Sequence, residues 1–293
     1  MKILLCSDGT PASDNATRLC GLLTAQCPAD ITLLGIAEQA ADEKPLRVAL
    51  ENEADSLRAL GSKIDIAVGT GDPIRQILNT TSTNKYDLAL IGTRGTGPSG
   101  LYLHSARTYE VIKAIEPAVL VAIGECSQLN RILVCTGGKK FIDPAVRLTA
   151  EVALCARASV TLLHVMAEPP VMYADLVALE EDVDRLIESG SELGQNLRAE
   201  KEMLEKRGVS AQIQIRHGIV VEQVFNEVRE GNHDLIVTGS SRSRGSLRNY
   251  IMGDLTRSIL NRAECPVLVA RVGEGTIAAR GLSGFFKRIF AGG

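Results

Sequence analysis

The sequence predicts an α/β protein with two tandem doubly wound domains, each built on a five-stranded, Rossmann-like parallel sheet. Two observations predict this class. The second part of the chain repeats the first, and within each copy short runs rich in Ile, Leu and Val alternate with longer stretches of helical pattern. Such apolar runs are typical of strands that helices cover on both faces, as in a parallel sheet.

The internal repeat divides the chain. "KILLCSDG" recurs as "RILVCTGG", "ITLLGIAE" as "VTLLHVMAE", "KYDLALIGTR" as "NHDLIVTGSS" and "AVLVAI" as "PVLVAR", in the same order. Lys2 matches Arg131, and Asp87 matches Asp234, so the second copy contains an insertion between these elements. We expect domains at residues 1–126 (half one) and 127–273 (half two), followed by a tail at 274–293.

The elements of half one follow in order. Strands are expected in "KILLCS", "DITLLGI", "KIDIAVG", "DLALIG" and "AVLVAI", with helices near residues 11–26, 42–60, 73–79 and 106–115 between them. Thr10 before Pro11, and Asp72 before Pro73, are typical of helix starts. Because crossovers between parallel strands are right-handed, the carboxyl ends of the strands should share one edge, where ligands bind in this architecture.

The composition is that of a globular protein: 293 residues, 45% apolar and 23% charged, with a formal net charge of −3. No overall positive charge draws the chain to nucleic acid or to an anionic membrane. We expect no membrane span, because no apolar run approaches 18 residues. The chain opens on a strand-like run without the features of a signal peptide, which favours the cytoplasm.

The seven cysteines include no Cys-x-x-Cys pair, and most lie in apolar runs such as "ILLC" and "VALC". We expect buried free thiols in a reducing compartment. The four histidines show no metal-ligand spacing, and no nucleophile is paired with a base in sequence. We therefore expect no metal site and no catalytic residues.

The stretch "IGTRGTGPSGLYLHSA" follows the fourth strand of half one. Gly92 and Gly95 would let the backbone approach an anion, and Arg94 would add positive charge. Ser105 and Ala106 would begin the next helix, whose free N–H groups favour a phosphate. Taken alone, two glycines at this spacing are a weak signal that favours a plain turn.

Ser7 and Asp8 stand where the first strand ends. The Asp8 carboxylate could accept hydrogen bonds from a ribose hydroxyl or an adenine amine at the edge where ligands bind. The alternative is an Asx-type turn before the first helix.

Both halves resemble the universal stress protein family, and the whole chain resembles a tandem member, over about residues 1–124 and 131–272. In the ATP-binding branch the loop after strand four reads Gly, two residues, Gly, nine residues, Gly, then Ser or Thr. An aspartate ends strand one, and a residue at the end of strand two meets adenine through its backbone. The resemblance implies a role in the stress response and an adenine nucleotide ligand, ATP alone or with magnesium, on Ser7, Asp8, Ile36, Gly92, Arg94, Gly95, Ser105 and Ala106.

The sequence departs from that pattern in both halves. In half one the final Gly-Ser has become Ser105-Ala106. In half two Gly137 replaces the aspartate, and Asp254 replaces the Ser or Thr after Gly253 and would repel a phosphate. Ser243, after three spacer residues, stands for the second glycine. Adenine recognition is therefore expected in half one alone, while a basic group could bind another anion or be solvated: Lys139, Lys140, Arg242, Arg244 and Arg248.

Three functions remain open from the sequence: a nucleotide-sensing stress protein, a structural or protein-interaction module of the non-ATP branch, and an enzyme. The enzymatic activity expected is at most slow ATP hydrolysis. The last strand of each half would be an exposed apolar edge unless paired. We expect the halves to pair there as a pseudo-dimer, and two chains could associate as a homodimer. The tail, which carries Phe285, Phe286 and Phe290, would dock on protein or remain disordered.

Overall fold

A computed structural model describes residues 1–9, 14–37, 39–92, 106–138, 143–167, 183–242 and 250–272. Half one contains β1 (Lys2–Ser7), α1 (Asp14–Thr24), β2 (Asp30–Ala37), α2 (Glu43–Arg58), β3 (Lys63–Thr70), α3 (Pro73–Thr83), β4 (Leu88–Gly92), α4 (Ala106–Ala114) and β5 (Ala118–Ala122). Half two contains β6 (Arg131–Cys135), α5 (Asp143–Ala156), β7 (Ser159–Met166), α6 (Val183–Glu188), α7 (Glu192–Glu205), β8 (Ala211–His217), α8 (Val220–Glu230), β9 (Leu235–Arg242), β10 (Tyr250–Ile251), α9 (Asp254–Arg262) and β11 (Val267–Val272). The predicted alternating α/β class is confirmed.

Each half has the strand order expected of a doubly wound sheet. Half one runs β3-β2-β1-β4-β5, and half two runs β8-β7-β6-β9-β11 in the matching order, with neighbours parallel within each half. Successive residues of β1 point to opposite faces of the sheet: Ile3 belongs to one apolar cluster and Leu4 to another, one on each face. Both clusters include residues of both halves, so each face has a core that continues across the chain.

The two halves join through their last strands. β5 pairs antiparallel with β11, and Leu120 lies opposite its own match, Leu268. Pairing of a segment with its own copy in this register is what an approximate two-fold axis produces. The strand edge expected to join the halves therefore does so within one chain, in a continuous sheet. Because the junction is antiparallel, the carboxyl edges of the two halves face opposite ways.

Repeated local features position the strands. Asp87 accepts a hydrogen bond from the Lys2 N–H at 2.7 Å, and its match Asp234 accepts one from the Arg131 N–H at 2.9 Å. In each half the entry of the fourth strand is thereby tied to the entry of the first. Asp72 caps α3 as predicted, because its side chain accepts from the Arg75 N–H at 2.9 Å. The predicted Thr10–Pro11 cap lies outside the described residues.

Arg271 of β11 reaches across the junction. Its buried guanidinium donates to the carbonyls of Ile112, Ile115 and Pro117 at 2.8–2.9 Å, and to the Ser240 hydroxyl at 2.9 Å. The three carbonyls belong to the end of α4 and the turn after it, where helix carbonyls lack internal partners and cations are favoured. A side chain of half two therefore completes a helix end of half one.

Helices α1 and α5 also pack together across the junction. Beyond the end of α1, Cys27 forms a disulfide with Cys155 of α5, and their Cα atoms are 5.2 Å apart. The prediction that all seven cysteines are free thiols is therefore wrong for this pair. The two residues lie one step from repeat-matched positions, so the near two-fold packing brings together cysteines that are 128 residues apart in sequence.

Glu151 of α5 is a titratable group at this junction. Burial first, and then the nearby Asp87 carboxylate of half one, raise the pKa of its carboxyl to about 7. The chain's amino terminus and Arg207 act in the opposite direction. The carboxyl is consequently protonated in a pH range where an exposed glutamate is charged.

None of the helices in the described ranges combines the length and the apolarity needed to cross a membrane.

Candidate functional site

The carboxyl ends of three neighbouring strands form the candidate site in half one. β1 lies between β2 and β4, and its register places Ser7 beside Gly35. Ile36 is the next residue of β2, and the β1–β4 register leads to Gly92, the last residue of β4. The fold thus brings Ser7, Ile36 and Gly92 to one edge, with Asp8 directly beyond β1.

The loop after β1 is held by side chains that sequence reasoning missed. The Ser7 hydroxyl donates to Glu53 Oε1 at 2.7 Å and accepts from the Gly9 N–H at 3.0 Å. Thr17 of α1 donates to the other oxygen of Glu53, also at 2.7 Å. One carboxylate of α2 therefore fixes both the end of β1 and helix α1. The Ser7 side chain serves to shape the loop.

Asp8 lies on the exposed side of that loop. Gly9 follows it at φ +68°, in the left-handed region that favours glycine. A Cβ at Gly9 would also lie 2.9 Å from the Cβ of Ala49. Glycine is thus needed for both conformation and space, and the turn it makes leaves Asp8 at the strand edge.

The other predicted residues of half one are described to different extents. Ile36 is half-buried and packs against one of the two apolar clusters, and half-buried Gly92 pairs with Ala122 of β5. Ala106 is the first residue of α4. The remaining three lie outside the described residues, so their roles stay predictions: Arg94, Gly95 and Ser105.

Half two repeats the loop-holding contact. Thr136, the match of Ser7, donates to Glu200 Oε1 at 3.2 Å and accepts from the Gly138 N–H at 3.0 Å. Gly138 has φ +67°, and Glu200 is the match of Glu53. The Ser or Thr, the Gly and the Glu each recur at matched positions of the two halves, so a comparison of the halves in sequence could have shown this contact. The shared contact therefore supports the loop rather than a ligand specific to one half.

Two further side chains distinguish the mouth of half two, by which we mean the carboxyl edge of its sheet, from the mouth of half one. His164 Nδ1 lies 3.1 Å from the Thr136 carbonyl, and the Asn196 amide donates to the Gly138 carbonyl at 2.9 Å. Their matches in half one are Gly35 and Ala49, which have no polar side chain. The half-two loop is thus bonded to its surroundings at additional points, and it carries Gly137 in place of the aspartate.

The chain after the fourth strand also differs in half two. β9 continues past Gly239, the match of Gly92, and pairs antiparallel with β10. Gly253 is the N-cap of α9, and Asp254 is the first helical residue. An acidic residue there is stabilised by the helix dipole, so Asp254 has a structural role that does not need a ligand. The described part of this segment is a β-ribbon leading to a capped helix.

Part of the basic group proposed for half two lies outside the described residues: Lys139, Lys140, Arg244 and Arg248, together with Ser243 and the tail at 274–293. Arg242 is the last residue of β9. Within the described ranges, no three His, Cys, Asp or Glu side chains form a group that could hold a metal ion.

A polar cavity of about 470 Å³ lies at the opposite, amino edge of half one and includes Thr80 in its wall. The match of Thr80 in half two is Glu227, which accepts a hydrogen bond from Arg216 at 2.8 Å and lies 3.4 Å from His233. Burial lowers the pKa of His233, against the opposing effect of Glu227. Glu227 is thus bonded to two neighbouring side chains where half one has Thr80 in the cavity wall, and the copies differ at this edge too.

The fold and the strand-end loops define a doubly wound α/β protein, a class that takes ligands outside the carboxyl ends of its strands. Residues 128–271 match the Universal stress protein family, and this part of the chain is a domain of that family. A curated relative, universal stress protein YxiE of Bacillus subtilis, is 28% identical over 151 residues, which cover 48% of this chain and 99% of the relative. Universal stress protein MJ0531 of Methanocaldococcus jannaschii is 25% identical over 143 residues, covering 48% of this chain and 82% of that protein.

The fold likeness extends over both halves. The crystal structure of a universal stress protein from Archaeoglobus fulgidus aligns with 93% of this chain and 98% of its own at a TM-score of 0.69, with 20% identity. At that identity the likeness shows the fold alone.

Proposed function

We propose that half one is a second universal stress protein domain, and that the mouth at its carboxyl edge binds ATP in a regulatory role in the stress response. The repeated strand order, the repeated Ser/Thr–Glu contact and the structural likeness over both halves support a tandem protein.

The observation that carries the nucleotide proposal is the position of Asp8. It is exposed on a loop that is tied to Glu53 through the Ser7 hydroxyl, beside the strand that ends at Gly92. A carboxylate there can accept hydrogen bonds from a ribose hydroxyl or an adenine amine while the loop keeps its own bonds. The phosphates would lie toward the glycine-containing segment after β4 and the start of α4, where backbone N–H groups favour anions. Any magnesium ion would be carried by the phosphates.

Half two is assigned no adenine nucleotide. Gly137 supplies no carboxylate, the chain after Gly239 continues in a β-ribbon, and Asp254 begins the helix where a phosphate would be placed. The two mouths lie on opposite edges of the continuous sheet, so neither can complete the other. A single nucleotide per chain is therefore expected.

A second candidate is a module that binds no ATP and acts through protein contacts. The Ser105-Ala106 pair in place of Gly-Ser favours it, as do the additional bonds in the half-two mouth. Catalysis is the least supported role, and slow ATP hydrolysis is the most we would expect.

Titration of the purified protein with ATP, followed by calorimetry and by melting temperature, tests the proposal. A ligand at 100 times its dissociation constant stabilises the folded state by about 2.7 kcal/mol. Asp8→Ala should weaken binding at least tenfold, because a hydrogen bond to a charged group contributes about 1.5–3 kcal/mol. The matched control is Gly137→Ala, whose added Cβ would meet nothing within 4 Å.

Two outcomes contradict the proposal. No heat and no melting shift with millimolar ATP would favour the protein-interaction module. If Asp8→Ala leaves binding unchanged and Gly137→Ala weakens it, the nucleotide binds half two and not half one.

A homodimer of whole chains remains a further proposal. The β5–β11 pair already occupies the last-strand edges of both halves. A second chain would therefore have to bind another surface. Multi-angle light scattering distinguishes a 31.3 kDa monomer from a particle of twice that mass.

A further inference from the structure

We propose that Cys27 and Cys155 form a redox-reversible site that exchanges with low-molecular-weight thiols and disulfides, and so links or releases the two halves at the α1–α5 contact. The bond joins the chain just beyond α1 to the last turn of α5, and it closes a loop of 128 residues. Within the described residues, the structure shows one disulfide, and it is this bond.

The two cysteines differ in exposure. Cys27 is half-buried, whereas Cys155 is 6% exposed. We therefore expect a small thiolate to attack the disulfide from the Cys27 side. An accessible sulfur in a disulfide is the condition for exchange with a soluble thiol.

The other cysteines are poor competitors for this chemistry. Burial raises the pKa of the free thiols of Cys6, Cys20, Cys135 and Cys265 to about 12, and that of Cys126 to about 11. Few thiolates form at neutral pH from such groups. Exchange should consequently be confined to the Cys27–Cys155 pair.

The exchange with glutathione balances in two steps. A glutathione thiolate attacks Sγ of Cys27, which forms a mixed disulfide and expels Cys155 as a thiolate that takes up a proton. A second glutathione thiolate attacks the glutathione sulfur of that mixed disulfide, releasing the Cys27 thiolate, which is protonated, and glutathione disulfide. Two electrons pass from glutathione to the protein, and the reverse sequence restores the bond.

Reduction should change the chain locally rather than separate the halves. The β5–β11 pair and the Arg271 hydrogen bonds hold the junction without the disulfide. What is lost is the covalent restraint between α1 and α5, which stabilises chiefly by limiting the unfolded chain. The reduced protein should remain folded but melt at a lower temperature.

Mass spectrometry of the full chain tests the site. Protein equilibrated with glutathione disulfide is denatured in the presence of N-ethylmaleimide, which alkylates the free thiols, and is then digested without reductant. The expected result is a linked peptide pair that contains Cys27 and Cys155, with the other five cysteines alkylated. In a series of glutathione to glutathione disulfide ratios applied to folded protein, the linked fraction should fall from near complete to near zero.

Two results would overturn the proposal. Failure to find the linked peptides shows that the bond does not form. A linked fraction that stays constant even at millimolar reduced glutathione shows a permanent structural bond and not a reversible site.

Melting curves with and without reductant supply the second measurement. Wild type should lose about 5 °C or more on reduction, given the size of the closed loop. Cys27→Ser should show no reductant-dependent shift, whereas Cys20→Ala, in the α1 helix that precedes Cys27, should keep it. An equal shift in Cys27→Ser and wild type would assign the effect to another group and refute the site. Because each variant is compared with itself, a general loss of stability does not obscure the result.

Discussion

Replacement of Arg271 by Met should loosen the junction between the halves. The change keeps most of the apolar length of the side chain and removes the four donated hydrogen bonds. Three main-chain carbonyls at the end of α4 and in the turn after it would lose this partner. Ser240 would keep its own bond to the Ala270 carbonyl at 3.2 Å.

The magnitude follows from opposing terms. Hydrogen bonds from a charged donor contribute about 1.5–3 kcal/mol each, so four would sum to about 6–12 kcal/mol. Desolvation of the guanidinium, which costs several kcal/mol in a buried position, offsets much of this. A buried carbonyl acceptor left without a donor costs about 1–3 kcal/mol, and removal of the desolvated guanidinium returns part of this, so we expect a net loss of unfolding free energy of about 3 kcal/mol.

Urea unfolding followed by circular dichroism is the assay, with Arg58→Met as the control. Arg58 is an exposed arginine paired with Glu51 and Asp55 on the surface of α2, so its replacement should leave the midpoint unchanged. Arg271→Lys should be intermediate, since an ammonium cannot reproduce the planar fork of a guanidinium. If Arg271→Met shifts the midpoint no more than Arg58→Met does, the helix-capping role is refuted.

Three further variants test other parts of the structure. Gly124→Ala should cost about 2 kcal/mol, because φ is +65° and the new Cβ would collide with the Glu264 carbonyl of half two, while Gly137→Ala should be nearly neutral; equal stability of the two in urea would contradict this. Glu151 binds its proton more tightly in the folded chain, so its contribution to unfolding free energy should fall by up to about 3 kcal/mol as pH rises from 4.5 to 7. Glu151→Gln should therefore gain on wild type across that window, and a pH-independent difference between the two would exclude the raised pKa. Asp72→Ala should cost about 1 kcal/mol by thermal melting through loss of the α3 cap, and no change would mean that the cap is replaced by water.

The strands and helices of half one could be predicted because their signals are local. "KILLCS" and "AVLVAI" are apolar along their whole length, which favours strands covered on both faces, and Asp72-Pro73 is a helix start that depends on neighbouring residues alone. The repeat then doubled each prediction. The α/β class followed from the alternation of strand and helix patterns, and the structure confirms it.

The candidate site was predicted in part. Asp8 could be placed at a strand end, because strand ends share an edge whatever the details of packing. Its support could not, since Glu53 lies 46 residues from Ser7 and no local pattern marks it. Comparison of the two copies would have shown the Ser/Thr and Glu positions recurring together. The roles of Arg94, Gly95 and Ser105 stay predictions.

The amino-acid sequence by itself determined that this protein consists of two copies of one α/β unit, because period and composition act over a few residues and are readable along the chain. The sequence predicted that the last strands would join the copies, but tertiary structure alone decided the details of that junction: the antiparallel register of β5 and β11, the Arg271 contacts and the Cys27–Cys155 bond. Each of these joins residues more than 100 positions apart. Their proximity results from burying two apolar sheet faces around one approximate two-fold axis, which no local pattern encodes.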